Sequence, residues 1–219
     1  MDNPSSRSSG FTLIELLVVV AIVALLASLV AVSANKALAR ARMVRCSSQM
    51  KSLSTALLSY TLETRYQTLP VALDRSKPSG QWAWSFRLVD ADVFPDYNNV
   101  GELLAEQQVF HCPEDRGSGS NRPSYAINAY ISASSGPFEA YRYLSSLPDS
   151  SQTVLLGEVW GRRDDKSYSS LTPGSSFAAF DRHTGSTNVA FADGHVASYS
   201  MRFLQQDPDA WNALWRPDL

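Results

Sequence analysis

Residues 10–34, GFTLIELLVVVAIVALLASLVAVSA, form an apolar run broken only by Thr12, Glu15, Ser28 and Ser33. At ~1.5 Å rise per residue, about 20 such residues cross the hydrocarbon of a bilayer as a helix. One ionisable group, Glu15, lies inside the stretch. Placing an acid there costs ~2.5–3.5 kcal/mol, so an intramembrane acid points to function by default. The plain alternative is a signal anchor that tolerates one acid near its end. A polar leader, MDNPSSRSSG, precedes the run, and no break follows it. A secretory signal peptide has the opposite layout, so the apolar helix is expected to remain in the mature protein.

Gly10 followed by Phe11, Thr12, Leu13, Ile14 and Glu15 resembles the cleavage and methylation site of type IV prepilins and type II secretion pseudopilins. The resemblance implies that a prepilin peptidase cuts after Gly10 and methylates the new amine of Phe11. It assigns Glu15 to assembly, as the carboxylate that neutralises that amine on a neighbouring subunit. In a low-dielectric membrane such pairing is strongly favoured over two isolated charges. The implied partners are the peptidase, other pilin or pseudopilin subunits, and a secretion platform in the inner membrane. The implied location is a single inner-membrane pass, N-terminus cytoplasmic and head periplasmic, with the filament in the periplasm or at the cell surface. Arg7 is the lone basic residue before the span, whereas Lys36, Arg40, Arg42 and Arg45 follow it. Counting basic residues alone would place the bulk of the chain inside. A retained anchor behind a peptidase leader demands the reverse, with the basic stems snorkelling at the outer headgroups.

Past residue 34, 18 basic residues face 19 acidic ones. This near-neutral balance offers no broad basic field and argues against nucleic acid as a partner. The remaining length suits one globular domain with its own core. Two polar stretches, 117–124 (GSGSNRPS) and 164–176 (DDKSYSSLTPGSS), read as surface loops within that domain. Residues 71–108 carry no recognisable motif.

No glycine or proline occurs from Phe11 to Tyr66, and Pro70 is the first breaker. Met43, Cys46, Met50, Leu53, Leu57 and Tyr60 recur at three- and four-residue steps, one apolar stripe on a helix. A single helix over 11–66 is expected, with its first half in lipid and residues 35–66 continuing beyond it to pack on a head. Two helices with a bend near Ser33 to Lys36 are the alternative. Val32 stands where pilins usually carry proline.

Short strands are expected at 124–132, 153–159, 176–180, 188–192 and 195–201, each bounded by turn residues. Asp193-Gly194 reads as a two-residue type I′ hairpin turn. That register sets Phe191 opposite Val196 and Ala192 opposite His195, with Phe191, Val196 and Val189 on one face. The chain ends in DPDAWNALW, with Asp207 as N-cap and Pro208 at the first helical position. The fold class expected is α+β and pilin-like: leader 1–10, membrane segment 11–34, periplasmic helix 35–66, and a β-rich antiparallel head over 67–219.

His183, nine residues, then Asp193-Gly194 resembles a C-terminal signature associated with prepilin-type processing. FHCPED (110–115), SYAIN (124–128) and LLGEV (155–159) are similar to recurring segments of the same group. His183, Asp193, His195 and Glu158 are ligand-type side chains on neighbouring predicted elements, a candidate site for zinc or another divalent metal. The bland reading is a turn aspartate and a hydrogen-bonded histidine. No nucleophile elbow, zincin helix, Walker loop or dinucleotide fingerprint is present, so no enzyme is expected.

The chain has two cysteines, Cys46 and Cys112. An exported head lies in an oxidising compartment, where two thiols are expected to pair. Two readings of function follow. One is a structural subunit that polymerises through its N-terminal helix in a type II secretion-like or type IV pilus-like system. The other is a membrane-anchored head that binds a metal or other ligand and never assembles.

Overall fold

The computed structural model describes residues 11–63, 67–72, 83–90, 107–115, 123–133, 139–160, 170–174, 178–179 and 181–218. The leader with Gly10, and most of the expected strand 176–180, lie outside these residues. The chain forms two compact units, divided at Arg40.

Helix α1 runs unbroken over Leu13–Glu63, through Val32 and the stretch where a bend was the alternative. In the first unit its apolar side chains face outward all round; Leu13 is 79 % exposed and Leu29 62 %. The two serines are satisfied within the helix. Ser28 Oγ donates to Leu25 O at 2.7 Å, and Ser33 Oγ to Leu29 O at 3.2 Å. Such back-bonding removes the cost of a bare hydroxyl in an apolar setting.

In the second unit the stripe becomes core. Cys46, Met50, Leu53 and Leu57 are fully buried, with Met43 and Tyr60 half-buried at its margins. They pack on a five-stranded sheet: β1 (Tyr125–Asn128), β2 (Val154–Glu158), β3 (Ser170–Leu171), β4 (Ser186–Phe191) and β5 (Val196–Ser200). The strand order is β3-β1-β2-β4-β5, and β3 joins β1 in parallel while the other pairs are antiparallel. The sheet is therefore mixed, not wholly antiparallel. The fold is α+β and pilin-like, a long N-terminal helix followed by a sheet head.

Both faces of the sheet are covered. Tyr125, Ile127 and Ala190 turn toward α1, whereas Ala126, Val189 and Phe191 meet Trp211 and Trp215 of the C-terminal helix. Strands buried on both faces lose the clean polar alternation of a solvated sheet. That explains why β1 and β2 are buried at every position. A helix at Trp84–Asp90 (α2), in the stretch without a motif, adds Trp84 and Leu88 to the α1 side.

The last strand ends early. Ser200 caps a helix, α3 (Met201–Gln206), by accepting from Phe203 N at 3.2 Å, so Met201 is helical. Asp207 caps α4 (Pro208–Trp215) by accepting from Ala210 N at 3.0 Å, with Pro208 at its start. Gly157 lies under α4, where a Cβ would come within 2.6 Å of both Leu171 and Trp215. The glycine inside this strand is thus a close-approach position.

The β4–β5 register differs from the expected one. Asp193 and Gly194 do not form a two-residue type I′ turn. Gly194 N donates to Phe191 O at 2.9 Å, Phe191 N donates to His195 O at 2.9 Å, and Gly194 alone has positive φ, +88°. This is a three-residue loop with glycine in the left-handed position. Phe191 therefore faces His195, their rings stacked 4.2 Å apart, and Ala190 pairs with Val196. Val196 moves to the α1 side with Ala190, away from Phe191. The extra loop residue shifts the pairing by one and swaps the faces. The tight two-residue turn occurs nine residues earlier, at Thr184 and Gly185, both with positive φ (56° and 83°), between His183 and Ser186.

Candidate functional site: a buried histidine–glutamate pair beside a disulfide

Glu158 ends β2 on the α1 side, opposite Tyr125 of β1, and is fully buried. His183 immediately precedes the Thr184-Gly185 turn, whose geometry fixes its backbone beside β2. The two side chains meet with Nε2 2.7 Å from Oε1. Thr187 Oγ1 and Asn188 N donate to Oε2, each at 3.2 Å, and Asn188 Nδ2 donates to Oε1 at 3.3 Å. A buried carboxylate is tolerated because its lone pairs are taken.

Against this pair lies the bond between Cys46 of α1 and Cys112, with Cα atoms 5.1 Å apart and a sequence separation of 66. The loop at 110–115 is drawn in by two bonds through Ser124: Cys112 N donates to Ser124 Oγ at 3.0 Å, and Ser124 Oγ to Asp115 Oδ2 at 2.8 Å. His183 Nε2 stands 3.7 Å from Cys112 Sγ. A second buried pair closes the cluster: Arg182 contacts Asp115 at 3.2 Å, and donates to the carbonyls of Ser124 and Val159. Its guanidinium also lies over the Trp160 ring, 4.8 Å from the centroid. On the far side, Tyr125 donates to Gln49 Oε1 of α1 at 2.8 Å. Burial, reinforced by the Glu158 charge, holds the Tyr125 hydroxyl well above the ordinary tyrosine range.

The segments FHCPED, SYAIN and LLGEV therefore meet around His183. The spacing from His183 to Asp193-Gly194 is also explained: it is one strand, β4, with a tight turn at each end. The four candidate metal ligands do not converge. Glu158 and His183 are together and buried. Asp193 and His195 form a separate, partly exposed pair on the β4–β5 loop, Nδ1 to Oδ1 2.7 Å. Asp193 also accepts from His195 N at 2.9 Å. Burial works against the charge, but these two hydrogen bonds outweigh it and lower the Asp193 pKa. The loop docks on α1, where Lys51 Nζ donates to Gly194 O at 2.5 Å. Asp193 is thus a loop-forming residue, and the strand between the turns keeps it from Glu158.

A cysteine, histidine and glutamate in line resemble a nucleophilic triad. Here the sulfur is bonded to Cys46, and Cys112, His183 and Glu158 are at most 6 % exposed, which leaves no nucleophile and no approach for a substrate. Sequence reasoning missed Asp115 and Arg182, though Asp115 ends the FHCPED segment and Arg182 adjoins His183.

At the other end of the chain, Thr12 and Glu15 cap α1 reciprocally. Glu15 N donates to Thr12 Oγ1 at 3.3 Å, and Glu15 Oε2 accepts from Thr12 N at 2.9 Å and from Thr12 Oγ1 at 2.7 Å. This is a capping box, for which Thr-x-x-Glu before an apolar run is the sequence signal.

Residues 5–31 match the prokaryotic N-terminal methylation motif. The match supports a type IV pilin-like chain, membrane-anchored by its N-terminal helix and carrying the motif that a prepilin peptidase processes. It spans the Phe11 to Glu15 constellation and most of the exposed apolar part of α1. No curated protein and no solved structure matches the chain.

Proposed function

We propose that this chain is a structural pilin or pseudopilin subunit. In this reading it is cut after Gly10, N-methylated at Phe11, and polymerised through α1 into an envelope filament of a type II secretion-like or type IV pilus-like system. One observation carries it: the methylation motif opens a helix whose apolar side chains are exposed from Phe11 to Leu29, whereas Cys46 to Leu57 of the same helix are core. An apolar surface of that extent needs lipid or the helices of neighbouring subunits. The Glu15 carboxylate gives those neighbours a charged register mark, the partner of the Phe11 amine. The head supplies a stable body on the outer side of the inner membrane, and its role is structural.

Crosslinking in membranes that contain an active prepilin peptidase and a filament-assembly system tests the reading. A ladder of subunit multimers that depends on both is expected. Monomer alone, with processing complete, would favour the anchored, non-assembling head.

A further inference from the structure

Cys46, Cys112, Glu158 and His183 each offer one ligand atom, and these atoms all lie within 4.8 Å of one another and are buried. A disulfide has no need of ionisable neighbours, and burying a histidine–carboxylate pair against it costs desolvation that apolar side chains would avoid. Two sulfurs, an imidazole and a carboxylate are instead a donor set suited to zinc. We propose that these four residues form a binding site for zinc or a similar thiophilic divalent metal in the reduced protein, and that the disulfide is the closed form of that site.

The spacing fits. In a tetrahedral zinc site, bonds of ~2.3 Å to sulfur and ~2.0–2.1 Å to nitrogen put those two ligands about 3.6 Å apart. His183 Nε2 is already 3.7 Å from Cys112 Sγ. Two pairs must open: the bonded sulfurs, to about 3.8 Å, and His183 Nε2 and Glu158 Oε1, from 2.7 Å to about 3.4 Å in the same geometry. The surroundings hold the carboxylate ligand in place. Thr187 Oγ1 and Asn188 N hold Oε2 of Glu158, and Asn188 Nδ2 also donates to Oε1, whose other side faces the imidazole. His183 Nδ1 is buried and has no hydrogen-bond partner among the described residues. Its lone pair can take the ring proton when Nε2 turns from donor to ligand.

The chemistry balances with a phosphine as reductant. The phosphine is oxidised to its oxide with the oxygen of one water, and the two hydrogens of that water end on the two sulfurs. The metal then displaces both thiol protons to solvent. Because the bond is buried, exchange between the two forms requires the head to open, and loading accompanies folding.

The test uses the full chain extracted in detergent, unfolded with a phosphine, and refolded with or without cobalt(II) as the probe. Reduced protein refolded with cobalt is expected to bind one equivalent, with a thiolate-to-cobalt charge-transfer band and the strong visible bands of four-coordinate cobalt. Zinc should bleach these bands stoichiometrically. The oxidised chain, and the Cys46→Ser, Cys112→Ser double variant, should show neither band. Glu158→Gln should keep the charge-transfer band and weaken binding at least tenfold. Reduced chain that folds only when the metal is present would also support the site. A folded, reduced chain without the bands overturns it. So do failure to fold even with the metal, and bands that persist in the double serine variant.

Discussion

The carboxylate of Glu15 accepts two hydrogen bonds from Thr12, one from its backbone N–H at 2.9 Å and one from its hydroxyl at 2.7 Å. The acid that the filament reading reserves for a neighbour's amine also satisfies the first turn of its own helix. The two roles separate by mutation. Thr12→Ala removes the cap, worth about 1 kcal/mol, and leaves the charge; multimer ladders should persist with at most a modest loss. Glu15→Val removes both and should favour insertion while depleting the ladders. Equal ladders in Glu15→Val and the parent chain would mean that apolar packing alone drives association.

The Cys46–Cys112 bond fastens α1 to the head across a sequence separation of 66. Chain-entropy reasoning gives about 4 kcal/mol for a loop of that size. Denaturant unfolding of the detergent-extracted chain should therefore show a large drop in midpoint for the double serine variant. A change below about 1 kcal/mol would show that the reduced, unfolded chain retains structure there.

Gly157 should not tolerate a side chain. A Cβ would enter within 2.6 Å of Trp215 and Leu171, and overpacking of this kind costs about 1–3 kcal/mol. Gly157→Ala is expected to shift α4 off the sheet and redden the tryptophan emission. Unchanged stability and emission would contradict the packing described between α4 and β2.

Tyr125 sets an alkaline limit. Its hydroxyl is held protonated above the ordinary range, first by burial and then by Glu158. The unfolded chain releases this proton from about pH 10, so stability is full below that pH and falls as pH rises toward the folded value. Tyr125→Phe should lose about 1 kcal/mol at neutral pH, through the missing bond to Gln49, and should lose less on going alkaline. Parallel alkaline curves for the two proteins would remove Tyr125 as the cause.

Much of this fold was legible from residue types and spacing. The stripe from Met43 to Tyr60 announced a helix packed on a head, and Asp207-Pro208 announced the last helix. The hairpin register was not legible, because Asp-Gly serves both a two-residue turn and a three-residue loop, and the choice rests on how Lys51 and Leu58 of α1 receive Gly194. The candidate site was half legible. His183 and Glu158 stood out by type, but their pairing depends on the Thr184-Gly185 turn. Asp193 looked equivalent to them only because a strand's length between two turns cannot be told from a ligand spacing. The capping role of Thr12 was readable in Thr-x-x-Glu and was obscured by the intersubunit role assigned to Glu15.

The most direct test of the central claim is the intact mass of protein extracted from membranes of a strain with an active prepilin peptidase. The account predicts a chain that begins at Phe11 and carries one added methyl group, with Gly10→Val blocking the cut by placing a branched side chain at the scissile bond. Full-length, unmethylated protein in that strain would contradict it.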